Sequence, residues 1–232
     1  QIAKNISLLR KENVSDLIIE NELKKFESDQ RYEFVIEHLK SLIESENQLK
    51  ELDENPDSEL TNEVVNKFIH YSFTNEEKDF AFNDLEEKRG LLNKEQKSVL
   101  DLVETGFKNS NFQILQYIDG KAGTGKSFII KTIQSFCVVN NIPYVTCAST
   151  GIAASLIGGN TAHSTFVLYP DKESQNIMHS SLNPATIRGK CINLVKLIII
   201  DEITMLNKGS LDAINEGLSR IQIQLNGSYI KN

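Results

Sequence analysis

From Leu9 to Leu49 the apolar residues recur at roughly helical spacing: Leu9, Leu17, Ile18 and Leu23, then Phe34, Val35, Leu39, Leu42, Ile43 and Leu49. That spacing predicts helices. The stretch Asn55-Pro56-Asp57-Ser58 breaks the pattern. Thr74-Asn75-Glu76-Glu77 then has the S/T-x-x-E form of a capping box, so a helix should open there, with Gly90 placed to close it.

After Gly90 the pattern changes. Phe112–Ile118 (FQILQYI) reads as a short apolar strand, followed by a helical stretch over about Ser127–Val139. Pro143–Ala148 (PYVTCA) reads as a second strand and Leu194–Ile200 (LVKLIII) as a third. Near-continuous aliphatic runs separated by helices predict an α/β fold, a parallel sheet with helices on both faces. A boundary near Gly90–Asn93 divides the chain into residues 1–89, an acidic helical region, and residues 90–232, the α/β domain.

Charge supports that division. The formal net charge is −7, but residues 1–89 carry 12 basic and 22 acidic side chains, whereas residues 90–232 carry 13 and 10. The acidic total therefore does not exclude nucleic-acid binding by the second half, because such contact is local. No apolar run approaches the roughly 18 residues of a membrane span, and no signal-peptide core is apparent, so a membrane partner is not expected. Cys137, Cys147 and Cys191 are odd in number and lack C-x-x-C spacing, which suggests neither a disulfide framework nor a zinc site and fits a reduced intracellular compartment. His38, His70, His163 and His179 are scattered without metal-ligand spacing.

Two segments carry chemistry. Gly120, Gly125, Lys126 and Ser127 satisfy G-x-x-x-x-G-K-[S/T]. In such a loop the backbone N–H groups of Ala122, Gly123, Thr124 and Gly125 converge on phosphate oxygens, and the following helix adds its positive end. Lys126 would pair with the β- and γ-phosphates and the Ser127 hydroxyl would ligate Mg²⁺. The alternative is a glycine-rich turn between strand and helix. Asp201 and Glu202 follow four aliphatic residues, at the strand end where open α/β sheets bind ligands. Asp201 suits the Walker B role of holding Mg²⁺, and Glu202 is placed to polarise the attacking water. Together the two segments predict ATP and Mg²⁺ as ligands and a hydrolytic site.

With those motifs in place, five segments in the same order resemble the Pif family of superfamily-one DNA helicases: Leu92–Gln96 (LNKEQ), Asp119–Ser127 (DGKAGTGKS), Ala148–Ala154 (ASTGIAA), Gly158–Phe166 (GGNTAHSTF) and Ile198–Leu206 (IIIDEITML). The resemblance runs from about Leu91 to Leu218. It implies a P-loop NTPase of RecA-like fold and an ATP-dependent motor moving 5′ to 3′ on single-stranded DNA and opening duplex junctions. The family acts in DNA repair, recombination and telomere maintenance, in the nucleus or the mitochondrion. Carried over by position, Gln96 would read adenine, although Asn93-Lys94-Glu95-Gln96 also looks like a helix cap with Gln at N3. Thr150, Gly151, Thr161, His163 and Ser164 would touch the DNA backbone, and Phe166 would offer a face for base stacking. The other reading of that region is a buried small-residue helix stopped by Gly158-Gly159.

Residues 1–89 match none of these motifs. Beyond Arg220 no G-D-x-R-Q element appears, and the family's second RecA-like domain is not recognisable. With Gln1 at its start, the chain is expected to be part of a longer product and not an autonomous helicase. Another P-loop ATPase acting on protein partners, or a non-catalytic nucleotide-binding module, stays open at this point.

Overall fold

The structure is a computed structural model, and it describes residues 60–108, 114–121, 123–171 and 177–226. The helices expected up to Leu49, the break at Asn55–Ser58, Phe112 and Ala122 lie outside the described residues. The chain divides into two compact units.

One unit comprises Glu59–Thr146 and Cys191–Ile199. It holds the helices α1 (Asn62–Phe68), α2 (Asn75–Leu91), α3 (Lys94–Lys108) and α4 (Lys126–Val139) and most of strand β1 (Tyr144–Ala148). The capping box at the start of α2 is formed: Glu77 N–H donates to Thr74 Oγ1 at 3.1 Å, and Thr74 N–H donates to Glu77 Oε2 at 2.7 Å. The core gathers Leu85 from α2, Leu100 from α3, Ile129, Ile133, Phe136 and Cys137 from α4, and Tyr144. Burying such aliphatic and aromatic side chains stabilises a fold by about 1.5–3 kcal/mol each. Asp84 adds a polar tie between α2 and α4, accepting from Lys88 Nζ at 2.6 Å and Ser135 Oγ at 2.5 Å. At the other edge His70 and Tyr144 exchange backbone hydrogen bonds of 2.9 Å and stack their rings 4.4 Å apart.

The boundary expected near Gly90–Asn93 falls inside this unit. Helix α2 runs through Gly90 to Leu91, and Leu85 sits in the same core as the helix that follows the phosphate loop. Periodicity and charge mark α2 as acidic on its solvent face. They do not report what its opposite face covers.

A correction concerns the strand expected before the phosphate loop. Residues 114–118 form no strand, and Leu115 is 98% exposed. An apolar run becomes a strand only when a neighbour takes up its backbone hydrogen bonds, and no ladder partner among the described residues does so here.

The other unit includes Cys147–Lys190 and the stretch from Ile200. The end of β1 pairs in parallel with β2 (Asn160–Thr161), with Cys147 opposite Asn160 and Ala148 opposite Thr161, and α5 (Gly151–Leu156) makes the crossover. A short helix, α6 (Ala162–Thr165), leads into the antiparallel hairpin β3 (Leu168–Pro170) and β4 (Met178–Ser180). Helix α7 (Ile187–Leu194) begins in this unit. Strand β5 (Leu197–Asp201) ends in it, followed by a 3₁₀ turn over Ile203–Met205 and by α8 (Lys208–Asn226). Helix α8 lies against the hairpin, and Gly217 is what permits the approach: a Cβ there would stand 2.6 Å from Ser180 Oγ. Phe166, Ile157, Leu182, Ile187, Leu206 and Ile221 are buried around it.

The strands follow the order β2-β1-β5, with β1 and β2 parallel. The α/β class read from the sequence is thus observed. Strand β5 is half-buried along its length rather than sealed on both faces.

Candidate functional site

The phosphate loop is shaped by two left-handed residues. Gly123 has φ +81° and Gly125 φ +84°, conformations that L side chains rarely adopt. Gly125 is also the N-cap of α4, which starts at Lys126 without a side-chain cap. The first N–H groups of a helix have no partner within it, so the loop delivers donors and a positive helix end to one place. The Lys126 ammonium folds over the loop and donates to the carbonyls of Gly120 and Lys121 at 2.6 and 3.2 Å. Thr124 Oγ1 closes the loop on Lys121 O at 2.8 Å. Ser127, one residue into the helix, is exposed.

Gln96 belongs to the same place. Its N–H donates to Asn93 Oδ1 at 2.9 Å and its Oε1 accepts from Asn93 N–H at 3.0 Å, so the cap expected from the sequence is formed. Its Nε2 donates to Thr124 O and Gly125 O at 3.3 and 3.4 Å. One amide thus starts α3 and braces the phosphate loop, which the motif alone did not disclose.

Asp201 ends β5 half-buried, and its Oδ1 accepts the Glu202 N–H at 2.9 Å. Glu202 is exposed and left-handed, with φ 51° and ψ 38°. A non-glycine residue there is uncommon. It turns the chain from the strand into the 3₁₀ turn over Ile203–Met205, with Glu202 itself exposed.

The polar residues of the helicase-like segments are mostly occupied locally. Thr150 Oγ1 caps α5 by accepting from Ala153 N–H at 3.2 Å, with Gly151 the first residue of that helix. Thr161 Oγ1 caps α6 by accepting from Ser164 N–H at 3.1 Å. His163 is exposed and Ser164 half-buried. Phe166 is a correction: it is 0% exposed, and its ring, enclosed in the core, has no face for a base. Two residues that the motifs did not single out for this segment stand behind the turn. Arg188, only 7% exposed, donates to the Ser164 carbonyl, and Ser180 Oγ donates to Phe166 O at 2.6 Å. A buried arginine on a short helix has no signature in the one-dimensional pattern.

The cysteines are structural. All three are buried, and burial pushes the Cys137 and Cys147 thiols up to about 12, far from a reactive thiolate. No helix among the described residues is long and apolar enough to cross a membrane.

Residues 91–229, well over half of the chain, match the family described as PIF1-like helicase. The chain belongs to that family. Membership brings the RecA-like P-loop fold, and the matched range contains the phosphate loop, the Asp201-Glu202 pair and the Thr161–Phe166 turn. Among curated relatives, the ATP-dependent DNA helicase PIF4 of Trypanosoma brucei brucei is 32% identical over 126 residues, 53% of this chain and 14% of that protein. The ATP-dependent DNA helicase PIF1 of Danio rerio is 37% identical over 136 residues, 56% of this chain and 18% of that protein. The ATP-dependent DNA helicase RRM3 of Saccharomyces cerevisiae is 30% identical over 134 residues, 57% of this chain and 18% of that protein. The matched part thus spans under a fifth of the length of each of these three.

Proposed function

We propose that this chain supplies the ATP-binding part of a PIF1-type DNA helicase, coupling hydrolysis of ATP to 5′-to-3′ movement on single-stranded DNA. The observation that carries this reading is the phosphate loop, with two left-handed glycines, a helix start without a side-chain cap and Lys126 folded over it, inside the family match.

In this reading the loop N–H groups and Lys126 take the triphosphate, with the ammonium exchanging the Gly120 and Lys121 carbonyls for β- and γ-phosphate oxygens. Gln96 holds the loop and turns its amide toward adenine. The Ser127 hydroxyl and the Asp201 carboxylate are hard oxygen donors of the kind Mg²⁺ prefers, which it combines with waters and substrate phosphates. When bound there, Mg²⁺ would offset the negative charge of the phosphate oxygens. Glu202, at the strand end and exposed, orients the water that attacks the γ-phosphate.

Single-stranded DNA and duplex junctions are the proposed partners, met by Thr150, Gly151, Thr161, His163 and Ser164. A second RecA-like domain is proposed to complete the cleft and contribute arginines. The roles in repair, recombination and telomere maintenance, in nucleus or mitochondrion, follow by family analogy. The test is ATP turnover by the complete protein with and without oligothymidine. Stimulation by the strand supports a DNA motor; turnover indifferent to DNA points instead to a P-loop ATPase working on protein partners.

A further inference from the structure

The turn that carries His163 is held from behind more firmly than its own short sequence requires. Helix α6 is only four residues long. Just past its C-cap, Phe166, stands Val167, a β-branched residue with φ +50°, a strained conformation that persists only where the surroundings over-determine it. Those surroundings are specific. Arg188, buried on α7, donates to Ser164 O. Ser180 Oγ donates to Phe166 O at 2.6 Å and accepts from Leu182 N–H at 3.2 Å. Ser181 N–H donates to Val167 O at 3.1 Å.

The clamp is itself seated by close packing. A Cβ at Gly189 would lie 1.9 Å from Asn183 O, so the chain between β4 and α7 passes directly over the residue next to Arg188. Arg220 on α8 donates to Ser180 O, and the missing Cβ of Gly217 leaves room for the Ser180 side chain. Three carbonyls of the turn, those of Ser164, Phe166 and Val167, are therefore fixed from α7 and from the β4 end. The face bearing His163 stays exposed.

We propose that Arg188 and Ser180 are positioning residues for single-stranded DNA, holding the Thr161–Val167 turn in the conformation in which His163 and Ser164 meet the strand. This rests on the reading of that turn as a DNA contact. Arg188 suits the role because its planar fork fixes direction, which a lysine point charge does not. Both residues are buried, so their effect would pass through the turn.

The experiment measures binding of fluorescein-labelled oligothymidine by the chain and by Ser180→Ala, Arg188→Lys, His163→Ala/Ser164→Ala and the combination of Ser180→Ala with the latter pair. Mg-ATP affinity serves as the fold control. Ser180→Ala and Arg188→Lys are each expected to weaken DNA binding about three- to tenfold, the scale of one lost hydrogen bond, with ATP affinity unchanged. In the His163→Ala/Ser164→Ala background, Ser180→Ala should then change binding less than about twofold, because residues acting as one unit are not additive. Should Ser180→Ala lose ATP binding through misfolding, Arg188→Lys decides alone. Loss from His163→Ala/Ser164→Ala with none from Ser180→Ala or Arg188→Lys overturns the clamp, as do effects that simply multiply. No loss from His163→Ala/Ser164→Ala removes the DNA reading of the turn, and the clamp with it.

Discussion

The side-chain amide of Gln96 donates to the Gly125 carbonyl at 3.4 Å, and a Cβ on Gly125 would stand only 2.5 Å from that amide nitrogen. The residue expected to read the base is thus packed onto the loop expected to hold the phosphates. On that reading, recognition of the two ends of a nucleotide would be linked through one side chain.

Gln96→Glu and Gln96→Ala should therefore differ. The glutamate keeps an acceptor for Asn93 N–H but sets a carboxylate against two carbonyls, while alanine merely removes the brace. Unfavourable contact with a charged group costs more than an absent neutral hydrogen bond. Mg-ATP affinity, measured with a fluorescent nucleotide, should fall about fivefold in Gln96→Ala and further in Gln96→Glu. Equal affinities across the three proteins would show that the brace is idle.

Helix α2 should be indispensable to the phosphate-loop unit. A chain starting at Gly90 loses Leu85 from the core it shares with α4, together with the Asp84 tie to Ser135. It is expected to aggregate, whereas one starting at residue 60 should give a cooperative melt. Burial opposes ionisation of Asp84, but hydrogen bonds from Lys88 and Ser135 and the Lys88 charge outweigh it and hold the carboxyl below its ordinary value. A lowered folded value means stability present above the ordinary carboxylate range and lost as pH falls through the folded one. The wild-type melting temperature should exceed that of Asp84→Asn at pH 7, with the gap narrowing in acid. A gap that is constant with pH would remove Asp84 ionisation from the account.

Much of the site was legible because its chemistry is local. The phosphate loop is contiguous, and the helix expected over Ser127–Val139 is observed at Lys126–Val139. The strand expected at Pro143–Ala148 is observed at Tyr144–Ala148. The third strand shifted, because Leu194 belongs to α7 and the ladder starts at Leu197. What stayed hidden depends on distant partners. Residues 114–118 have the composition of a strand but pair with none among the described residues, and Phe166 looked available because its enclosure becomes visible only once the chain is folded. Arg188 and Ser180 act on carbonyls 24 and 14 residues away.

Hydrolysis should be the weak point of residues 1–232 by themselves. Among the described residues the arginines are engaged at home, Arg89 on Glu104, Arg188 on Ser164 O and Arg220 on Ser180 O. Without an arginine facing the γ-phosphate, phosphoryl transfer in related systems is slower by roughly 10³–10⁵. The chain is expected to hydrolyse ATP near background and to separate no duplex. In the complete protein, Glu202→Gln should keep ATP affinity and lose most turnover. Normal turnover by Glu202→Gln would assign the water to another residue.

The central claim is that this loop holds a nucleoside triphosphate through Lys126, and a calorimetric titration of Mg-ATP into the chain and into Lys126→Ala tests it most directly. Among the described residues the Lys126 ammonium hydrogen-bonds to carbonyls of its own loop, so its removal should leave the melting temperature nearly unchanged. The account predicts saturable one-site binding by the chain and affinity at least about a hundredfold weaker in Lys126→Ala, on the scale of a lost charge-assisted contact. Equal binding by the two proteins, or none by the chain, would contradict it.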